Sequence, residues 1–329
     1  MSSININNKI IIPSENGDSI LRSALRNFIG IPYECNSGGC GACKVDLIYG
    51  EVKNTYPDSV SISDRDRRKN RVLACQSIPL GDVEIGVEFA EMEGGLYRPG
   101  KCTGVLMGKE YISTEVVEFS FSLKNDVRYM PGQYFMISIP GVGERAYSVS
   151  SPDSDDGVIK FIVKKMNFGK FSSYLFNDFN VNDNIILDGP YGHAYFLENE
   201  RDIVCIAGGA GLSPIVSIVR RMEKSRSDNN LYFFYGVNQI DEINSDYISN
   251  LLKGIPASRC DFIPAITSRQ EDWQGEVGYI HEVVSRCLED FSDKEFYFCG
   301  PPVMTSAVQK LLMIEKSVPY ERMHFDRFF

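Results

Sequence analysis

Four cysteines constrain the fold of this chain more than any other feature of its sequence. Three of them lie on one short segment with the spacing Cys35-x4-Cys40-x2-Cys43, and Cys75 follows much further along the chain. Plant-type [2Fe-2S] proteins have this spacing, with three ligands on one loop and the fourth from elsewhere in the fold. The glycines of the loop allow backbone N–H groups to close around a cluster. The sequence therefore predicts a [2Fe-2S] cluster on these four cysteines.

A zinc ion is the alternative occupant of four thiolates. Structural zinc sites usually combine two short cysteine spacings, whereas this pattern has one compact group and one distant residue. Taken alone, the loop leaves two other classes of protein open. One is a zinc-stabilised interaction protein, and the other is a non-enzymatic iron-sulfur redox sensor.

Length, charge and cysteine usage exclude several classes. The chain has 329 residues and a formal net charge of -10, so two or three domains are expected and nucleic acid is not expected as a partner. The longest apolar stretch, 203–219, is interrupted by glycines and a proline and is shorter than the ~20 residues of a membrane span. No membrane insertion is predicted. Nine cysteines, an odd number, and no secretory signal pattern predict a reducing, cytoplasmic location.

Residue patterns divide the chain into three predicted domains. The segment 91–100 concentrates glycine and proline, as connectors between domains do. Beyond it, short alternating runs separated by turns predict an antiparallel β-barrel or sandwich. From residue 202 onwards apolar strands alternate with amphipathic helices, which predicts a parallel α/β sheet. The predicted boundaries are 1–95, 100–197 and 198–329.

The tetrad Arg145-Ala-Tyr-Ser148 lies in the β-rich middle of the chain. An arginine can clamp phosphate oxygens, a tyrosine can lie against a planar ring system, and a neighbouring hydroxyl can bind a ring nitrogen. Gly169 and Ser172 follow at a predicted helix start, where free N–H groups favour a pyrophosphate. A solvated strand edge is the alternative for the tetrad alone, but the combination favours a flavin nucleotide.

The segment Ile203–Gly211 predicts a strand and a glycine-rich turn, and Pro214 suits the first turn of the helix that follows. Such a construction receives the phosphates of a dinucleotide, although a tight turn in any α/β protein is the alternative. A later strand ends at Cys299-Gly-Pro301, and open α/β sheets bind ligands at such carboxyl edges. Together the two strand ends predict a nicotinamide nucleotide site.

These three signatures, in this order, resemble the ferredoxin–NADP reductase superfamily with a plant-type ferredoxin domain fused at the amino end. The segment 32–44 and the tail segments 308–315 and 324–329 are similar to the reductase components of bacterial diiron monooxygenases of the toluene 4-monooxygenase type. The resemblance covers essentially the whole chain. It implies a multidomain fold with an α+β ferredoxin domain of the β-grasp type, an antiparallel β-barrel flavin domain and a parallel-sheet α/β nucleotide domain.

The resemblance also implies cofactors and residue roles. FAD contacts are expected from Arg145, Ala146, Tyr147, Ser148 and Lys164, with Gly169 and Ser172 near the pyrophosphate. NADH is expected over Gly208, Gly209, Gly211 and Pro214, with Cys299, Gly300 and Pro301 beside the nicotinamide. The implied catalytic residues are Ser148, Cys299 and Phe329. The terminal Phe329 is expected to stack on the flavin ring, where the nicotinamide must bind.

The implied function is transfer of electrons from NADH through FAD and the cluster to a Rieske-type ferredoxin or a hydroxylase. The expected system is a diiron aromatic or alkene monooxygenase; a ring-hydroxylating dioxygenase or a deoxysugar dehydrase is the alternative. The chain departs from the family at Ala210, where threonine or serine is frequent, and at Val237-Asn238, where arginine often follows the strand. The segment 238–242 carries only neutral and acidic polar groups, which favours NADH over NADPH.

A basic segment precedes the fourth cysteine. It places five basic residues in seven positions of an acidic chain: Arg65, Arg67, Arg68, Lys69 and Arg71. The segment is either a solvated helix face or a surface that steers an acidic partner towards the cluster.

Overall fold

The computed structural model describes residues 2–92 and 96–328. They divide into two compact units, one formed by residues up to 101 with Asp188–Pro190 and the other by 102–187 and 191–328. The second unit contains two different sheets. The predicted boundaries between three domains stay predictions, and the predicted connector lies partly outside the described residues.

The first unit is an α+β fold of small strands and two short helices. Its strands are β1 (Ser2–Ile6), β2 (Ile10–Ser14), β3 (Ile29–Gly30), β4 (Lys44–Tyr49), β5 (Val52–Asn54), β6 (Arg71–Leu73), β7 (Ser77–Pro79), β8 (Val83–Gly86) and β9 (Ala90–Glu91), and its helices are α1 (Ile20–Arg26) and α2 (Asp64–Arg68). The main sheet has the order β2-β1-β8-β4-β6, and β3-β9 and β5-β7 form two small ribbons. Within the main sheet β1 pairs parallel with β8, whereas the pairs β1–β2, β4–β6 and β4–β8 are antiparallel.

Helix α1 covers this sheet because its sequence is apolar on one face. Ile20, Leu21 and Ala24 are fully buried, as are Ile4 and Ile6 of β1. The isoleucines of β1 alternate with less buried residues, as expected for a strand with one face on a core. Ser19 begins the helix by accepting a hydrogen bond from the backbone N–H of Arg22. The arrangement is the β-grasp fold expected for a ferredoxin domain.

The first sheet of the second unit has six strands, and its hairpin strands pair antiparallel. Its elements are β10 (Gly100–Tyr111), β11 (Val116–Leu123), β12 (Tyr134–Ile139), β13 (Gly143–Ser148), β14 (Val158–Lys164), α3 (Lys170–Asn177) and β15 (Asn184–Tyr191). The strand order is β13-β12-β15-β10-β11-β14. A bridge between Val149 and Phe161 joins the two edges, which closes the sheet into the predicted barrel. Its interior is aromatic, with Phe119, Phe121 and Phe135 buried.

The second sheet of this unit is parallel throughout. Its elements are β16 (Asp202–Gly208), α4 (Leu212–Ser225), β17 (Leu231–Val237), α5 (Ser245–Leu252), β18 (Cys260–Ile266), β19 (Glu276–Val277), α6 (Ile280–Cys287), β20 (Lys294–Gly300), α7 (Pro302–Lys310) and β21 (Met323–Arg327). The strand order is β19-β18-β17-β16-β20-β21. Since β16 lies between β17 and β20, the direction in which strands are added reverses there.

Helices cover both faces of the parallel sheet. Ile203, Cys205 and Ala207 of β16 pack in one core with α4 and α5, and Val204 and Ile206 pack in another with α6 and α7. Because both faces of β16 are buried, its sequence from Ile203 to Ala207 is apolar without interruption. Among the described residues, no helix combines the length and the apolar character that crossing a membrane requires.

Candidate redox centre and nucleotide sites

The four predicted ligands come together as two pairs of sulfurs. The Sγ atoms of Cys35 and Cys40 are 3.3 Å apart, and so are those of Cys43 and Cys75. Strand pairing brings the distant cysteine in: β4 begins directly after the loop and pairs antiparallel with β6, and Cys75 lies in the 3-10 turn that follows β6. The backbone N–H of Ala74 donates to the carbonyl of Cys43 at 2.8 Å.

Backbone N–H groups of the loop point at sulfur. Ser37 and Cys40 donate to the Sγ of Cys35 at 3.5 and 3.4 Å, and Ala42 donates to the Sγ of Cys40 at 3.4 Å. The hydrogen bond from the Cys40 thiol and those from Ser37 hold the pKa of Cys35 well below its ordinary value. The loop can take this shape because Gly38 and Gly41 have φ values of +85° and +76°. A loop that directs several N–H groups at sulfur is suited to metal ligation by cysteine.

The pairing of the sulfurs tests which metal the site fits. Among the described residues, no group of three or more histidine, cysteine, aspartate or glutamate side chains converges as a single metal ion would require. Two pairs of thiolates instead suit two irons, each held by two cysteines. This arrangement fits a [2Fe-2S] cluster and disfavours the zinc alternative.

Serine side chains outside the cysteine motif hold the loop in place. The hydroxyl of Ser59 donates to the carbonyl of Gly38 at 2.7 Å, and that of Ser61 donates to the carbonyl of Gly39 at 2.5 Å. Sequence reasoning missed these two residues. The alternation of serines in Ser59-Val-Ser-Ile-Ser63 was the available signal.

The predicted flavin tetrad ends strand β13, which pairs with β12. Strand alternation puts Arg145 and Tyr147 on one face. Arg145 is exposed and donates to the backbone carbonyl of Glu144 at 2.7 Å, while the ring of Tyr147 lies 5.9 Å from that of Phe171. Burial raises the pKa of Tyr147, so its phenol stays neutral. An exposed guanidinium beside a neutral ring fits a phosphate and a planar ring.

Ser148 is buried, with 4% of its surface exposed. Its backbone carbonyl accepts a hydrogen bond of 2.7 Å from the hydroxyl of Ser213, in the first turn of α4. The predicted flavin and nicotinamide segments therefore meet at this residue, and Ala146 lies two positions before it on β13.

Gly169 and Ser172 begin helix α3, with Gly169 at the N-cap. The Ser172 hydroxyl accepts from the backbone N–H of Met166 at 3.0 Å and lies 3.3 Å from the carbonyl of Gly169. A Cβ on Gly169 would lie 2.8 Å from Met166 Cβ, so the turn requires glycine. These contacts shape the helix start; a pyrophosphate contact stays a prediction.

Lys164 is engaged by the protein. Its Nζ lies 2.5 Å from the Glu242 carboxylate, which also accepts from the backbone N–H groups of Asn238 and Gln239 at 3.1 and 3.2 Å. Sequence reasoning missed this ion pair because its partners are far apart in the chain. The predicted contact of Lys164 with a cofactor stays a prediction.

The glycine-rich turn and the end of β20 lie against each other. A Cβ on Gly211 would fall 1.9 Å from the carbonyl oxygen of Cys299, and one on Gly208 would fall 2.1 Å from Met304 Sδ. Neither position therefore tolerates a side chain without movement. Gly209 has a φ of +52°, and α4 begins at Leu212 with no side-chain cap, so Pro214 lies in its first turn.

Cys299 is buried beside Ala207 of β16 and Asp326 of β21. Burial raises the pKa of its thiol well above the ordinary value, so the thiol is neutral at physiological pH. Gly300 and Pro301 follow and lead into α7, and the backbone N–H of Phe328 donates to the carbonyl of Gly300 at 3.1 Å. The remaining predicted catalytic residue, Phe329, lies outside the described residues.

The two strand ends define one crevice. They belong to β16 and β20, neighbours at the point where the strand order reverses. Open α/β sheets bind nucleotides at this topological switch point, outside the carboxyl ends of the strands. An uncapped helix start in the same place suits phosphate. The residues therefore fit a dinucleotide, as predicted.

Three families match successive parts of the chain. They are a 2Fe-2S iron-sulfur cluster binding domain over residues 4–80, an oxidoreductase FAD-binding domain over 103–196 and an oxidoreductase NAD-binding domain over 205–310. Together with the cysteine pairs and the switch-point crevice, they define the class: an iron-sulfur flavoprotein oxidoreductase that uses a nicotinamide nucleotide.

Relatives along the full length narrow the class to a family. The chain is 34% identical over 320 residues to a ferredoxin–NAD(P)(+) reductase of Metapseudomonas resinovorans, covering 95% of each chain. It is 31% identical over 317 residues to the ferredoxin–NAD(+) reductase component of the Xanthobacter autotrophicus alkene monooxygenase system, covering 94% of this chain and 95% of the relative. The solved ferredoxin reductase in carbazole 1,9a-dioxygenase matches with a TM-score of 0.91 and 32% identity, over 99% of this chain and 98% of that one. The chain belongs to the ferredoxin–NAD(P)+ reductase superfamily, in the group with an N-terminal plant-type [2Fe-2S] domain.

This assignment confirms the predicted fold class, enzyme class and cofactors. The protein is an electron-transferring reductase with a [2Fe-2S] cluster, FAD and a nicotinamide nucleotide.

Proposed function

We propose that this chain oxidises NADH and supplies electrons to the ferredoxin or hydroxylase component of a diiron aromatic or alkene monooxygenase. The observation that carries the proposal is the union of the cysteine pairs, the barrel and the switch-point crevice in one chain. Its relatives include the alkene monooxygenase reductase component and, at 30% identity, the electron transfer component of the Pseudomonas putida xylene/toluene monooxygenase.

A ring-hydroxylating dioxygenase is the second candidate system. It is favoured by the similarity to the ferredoxin reductase in carbazole 1,9a-dioxygenase and to the electron transfer component of anthranilate 1,2-dioxygenase from Acinetobacter baylyi. A deoxysugar dehydrase is a third, from the 28% identity to the CDP-6-deoxy-L-threo-D-glycero-4-hexulose-3-dehydrase reductase of Yersinia pestis. The three systems use the same carriers and differ in the acceptor.

The protein's part in the reaction is to position the carriers. Bound FAD would supply the exchange between the electron pair of NADH and the single electrons that a [2Fe-2S] cluster takes. Gly208, Gly209 and Gly211 keep the crevice open to the nucleotide, and Pro214 lies in the first turn of the helix whose N-terminus faces the phosphates. Gly300 and Pro301 shape the opposite wall. Cys299 presents a neutral thiol, which adds no charge beside the nicotinamide.

On the flavin side, Arg145 pairs with phosphate oxygens, Tyr147 lies along the ring system, and Ser148 supplies a hydroxyl near the reacting ring. Ala146 contributes backbone groups, and Gly169 and Ser172 direct the start of α3 towards the pyrophosphate. Phe329 is assigned the stacking position on the flavin ring that the nicotinamide takes during transfer. A truncation after Phe328 tests that role through hydrogen peroxide formed per NADH consumed, which should rise.

NADH rather than NADPH is the proposed donor. A 2′-phosphate needs a cation. Lys164, at the end of β14, is already paired with Glu242, which follows β17. The remaining polar groups of 238–242 are neutral or acidic. The carboxylate therefore both neutralises Lys164 and repels the extra phosphate.

The acceptor is proposed to dock beside the cluster on a surface formed by α2 and the loop before it, here called the α2 face. Arg65, Arg68 and Lys69 are exposed there, and Val60, between the two serines that hold the cluster loop, is 94% exposed. Arg71 is excluded because it pairs with Asp46 at 2.7 Å. A basic rim around an apolar contact suits an acidic protein such as a Rieske-type ferredoxin.

Reconstitution with purified acceptors tests the function. The full-length holoprotein is mixed with NADH and, in turn, with the oxygenase ferredoxin, hydroxylase or dehydrase encoded in the same genome. The expected result is NADH-dependent product formation with a diiron monooxygenase system. Product with a dioxygenase or dehydrase only would replace the first candidate. Oxidation of NADH with no transfer to any iron-sulfur or diiron acceptor would contradict the proposal.

A further inference from the structure

The side chain of Asn36 is buried and lacks a partner. It is 1% exposed, and neither its amide nitrogen nor its amide oxygen has a hydrogen-bond partner among the described residues. A buried polar group left without a partner destabilises the folded protein. A partner is therefore expected from a group other than those of the described residues.

Backbone conformation does not explain the burial. Asn36 has a φ of +50°, which asparagine tolerates better than most residues, but glycine would serve there without a buried amide. Other asparagines with positive φ in this unit are partnered. The amide of Asn7 exchanges hydrogen bonds with the backbone of Val87 at 2.6 and 3.0 Å, and that of Asn70 donates to the carbonyl of Leu47 at 2.5 Å. Asn36 differs in having its amide buried and unused.

The position of Asn36 identifies the missing partner. It directly follows the ligand Cys35, on the loop whose backbone N–H groups already donate to the sulfurs of Cys35 and Cys40. The sulfur atoms of a [2Fe-2S] cluster are hydrogen-bond acceptors, and Asn36 is the residue next to one of the four ligands that would hold such a cluster.

We propose that the Nδ2 group of Asn36 donates a hydrogen bond to a sulfur of the [2Fe-2S] cluster and raises its reduction potential. Reduction adds one electron and therefore negative charge to the cluster, and a donor stabilises the charge-rich form more than the oxidised one. Through this hydrogen bond Asn36 would tune how readily the cluster takes an electron. The inference rests on the assignment of the cluster to the four cysteines.

The Asn36→Gly variant separates the amide from the backbone, because glycine keeps the positive φ and removes the donor. The full-length protein with FAD and cluster bound is titrated with redox mediators, and the reduced cluster is counted by electron paramagnetic resonance. We expect the ratio of reduced to oxidised cluster at a fixed potential to fall by about tenfold, which is 59 mV for one electron. Asn8→Gly is the matched control: Asn8 has a φ of +53° and is exposed, and its replacement should leave the potential unchanged.

A second measurement detects the proposed hydrogen bond directly in the unsubstituted protein. The protein is labelled with nitrogen-15 in its asparagine side-chain amides, and the reduced cluster is observed by pulsed electron paramagnetic resonance. A hyperfine coupling to a labelled nitrogen is expected, and Asn36→Gly should abolish it where that variant binds a cluster. An intact cluster with no such coupling, or an unchanged potential in Asn36→Gly, would overturn the inference and assign the amide to a buried water. A protein that shows no [2Fe-2S] signal at all would instead overturn the cluster assignment.

Discussion

The cluster loop and the nucleotide turn are both glycine-rich, but Gly41 of the loop and Gly211 of the turn are required for different reasons. In the cluster loop, Gly41 has a φ of +76° and a Cβ there would come no closer than 3.3 Å to Ser61. In the nucleotide turn, Gly211 has a φ of -63°, and a Cβ would fall 1.9 Å from the Cys299 carbonyl oxygen. The first glycine serves local backbone conformation, and the second serves the close approach of a distant strand. A glycine motif in a sequence therefore does not reveal which requirement it meets.

The largest effect is expected from removing one cluster ligand. In Cys75→Ser, electron transfer from NADH to ferredoxin or cytochrome acceptors should fall by ~100-fold or more, since loss of outer partners alone costs metal sites 10–100-fold. NADH-driven reduction of ferricyanide should persist, because that dye draws directly on the flavin. The two activities are measured side by side on protein of matched FAD content.

Cys287→Ser is the control, since Cys287 is an exposed cysteine at the end of α6. It should lose neither activity. Equal loss of both activities in Cys75→Ser would mean that the cluster loop and the nucleotide site do not function separately.

Two alanine variants within the nucleotide turn distinguish a steric clash with β20 from the cost of a positive φ. Gly211→Ala forces β20 and the turn apart, and displacement by about 1 Å can cost ~100-fold in rate, so flavin reduction by NADH should slow on this order. Gly209→Ala meets no atom within 4 Å and carries only the backbone cost of its positive φ, ~1–2 kcal/mol. Stopped-flow bleaching of the flavin gives both rates.

The visible spectrum of the cluster should be unchanged in both variants, because the glycines lie in the second unit. Equal rates in Gly211→Ala and Gly209→Ala would show that close approach to Cys299 is not what the turn requires. The contrast with the cluster loop would then disappear.

The sequence predicts those elements whose residue pattern depends on local structure, and it does not predict those that depend on contacts with distant segments. Among the short runs of the β-rich middle, 134–139 and 158–164 coincide with β12 and β14, because turn residues such as glycine and proline mark the limits of each run. No strand is predicted from the tail segment 324–329, yet Met323–Arg327 forms a parallel edge strand, and Phe325 stacks on Phe298 with ring centroids 4.8 Å apart. The alternation of apolar and polar residues in this strand covers only five positions, and its place at the sheet edge is set by pairing with β20.

Prediction of the site residues has the same limit, because it succeeds only where a local spacing marks them. The four cysteines could be identified because cluster ligands need fixed spacing, and the structure brings them together. The Lys164–Glu242 ion pair and the serine anchors of the cluster loop could not, because each contact joins segments whose proximity depends on the whole fold.

A moderate effect is expected at the α2 face. Arg65→Glu with Arg68→Glu reverses two exposed charges and should lower the association rate with an acidic acceptor by about tenfold at low ionic strength. The salt dependence of the rate should fall with it. Lys253→Glu with Lys310→Glu changes the net charge equally on exposed residues of the second unit and should have little effect. Equal slowing by the two double variants would indicate a general charge effect and no docking on this face.

The smallest effect concerns the choice of nucleotide. In Glu242→Gln the amide oxygen can still accept from the N–H groups of Asn238 and Gln239, so the turn after β17 is retained, but Lys164 loses its counter-charge. A partly exposed ion pair of this kind accounts for ~0.2–1 kcal/mol, so kcat/KM for NADPH relative to NADH should rise by up to about fivefold.

Lys164→Met removes the cation and should leave NADPH use as poor as in the unsubstituted protein. The ratio of the two kcat/KM values is the measurement, and a Glu242→Gln protein with an unchanged ratio would exclude this pair as the source of discrimination. The pair joins β14 of the barrel to the turn after β17. A raised ratio in Glu242→Gln would therefore show that a contact between the two sheets sets nucleotide choice in this chain, which no single glycine motif encodes.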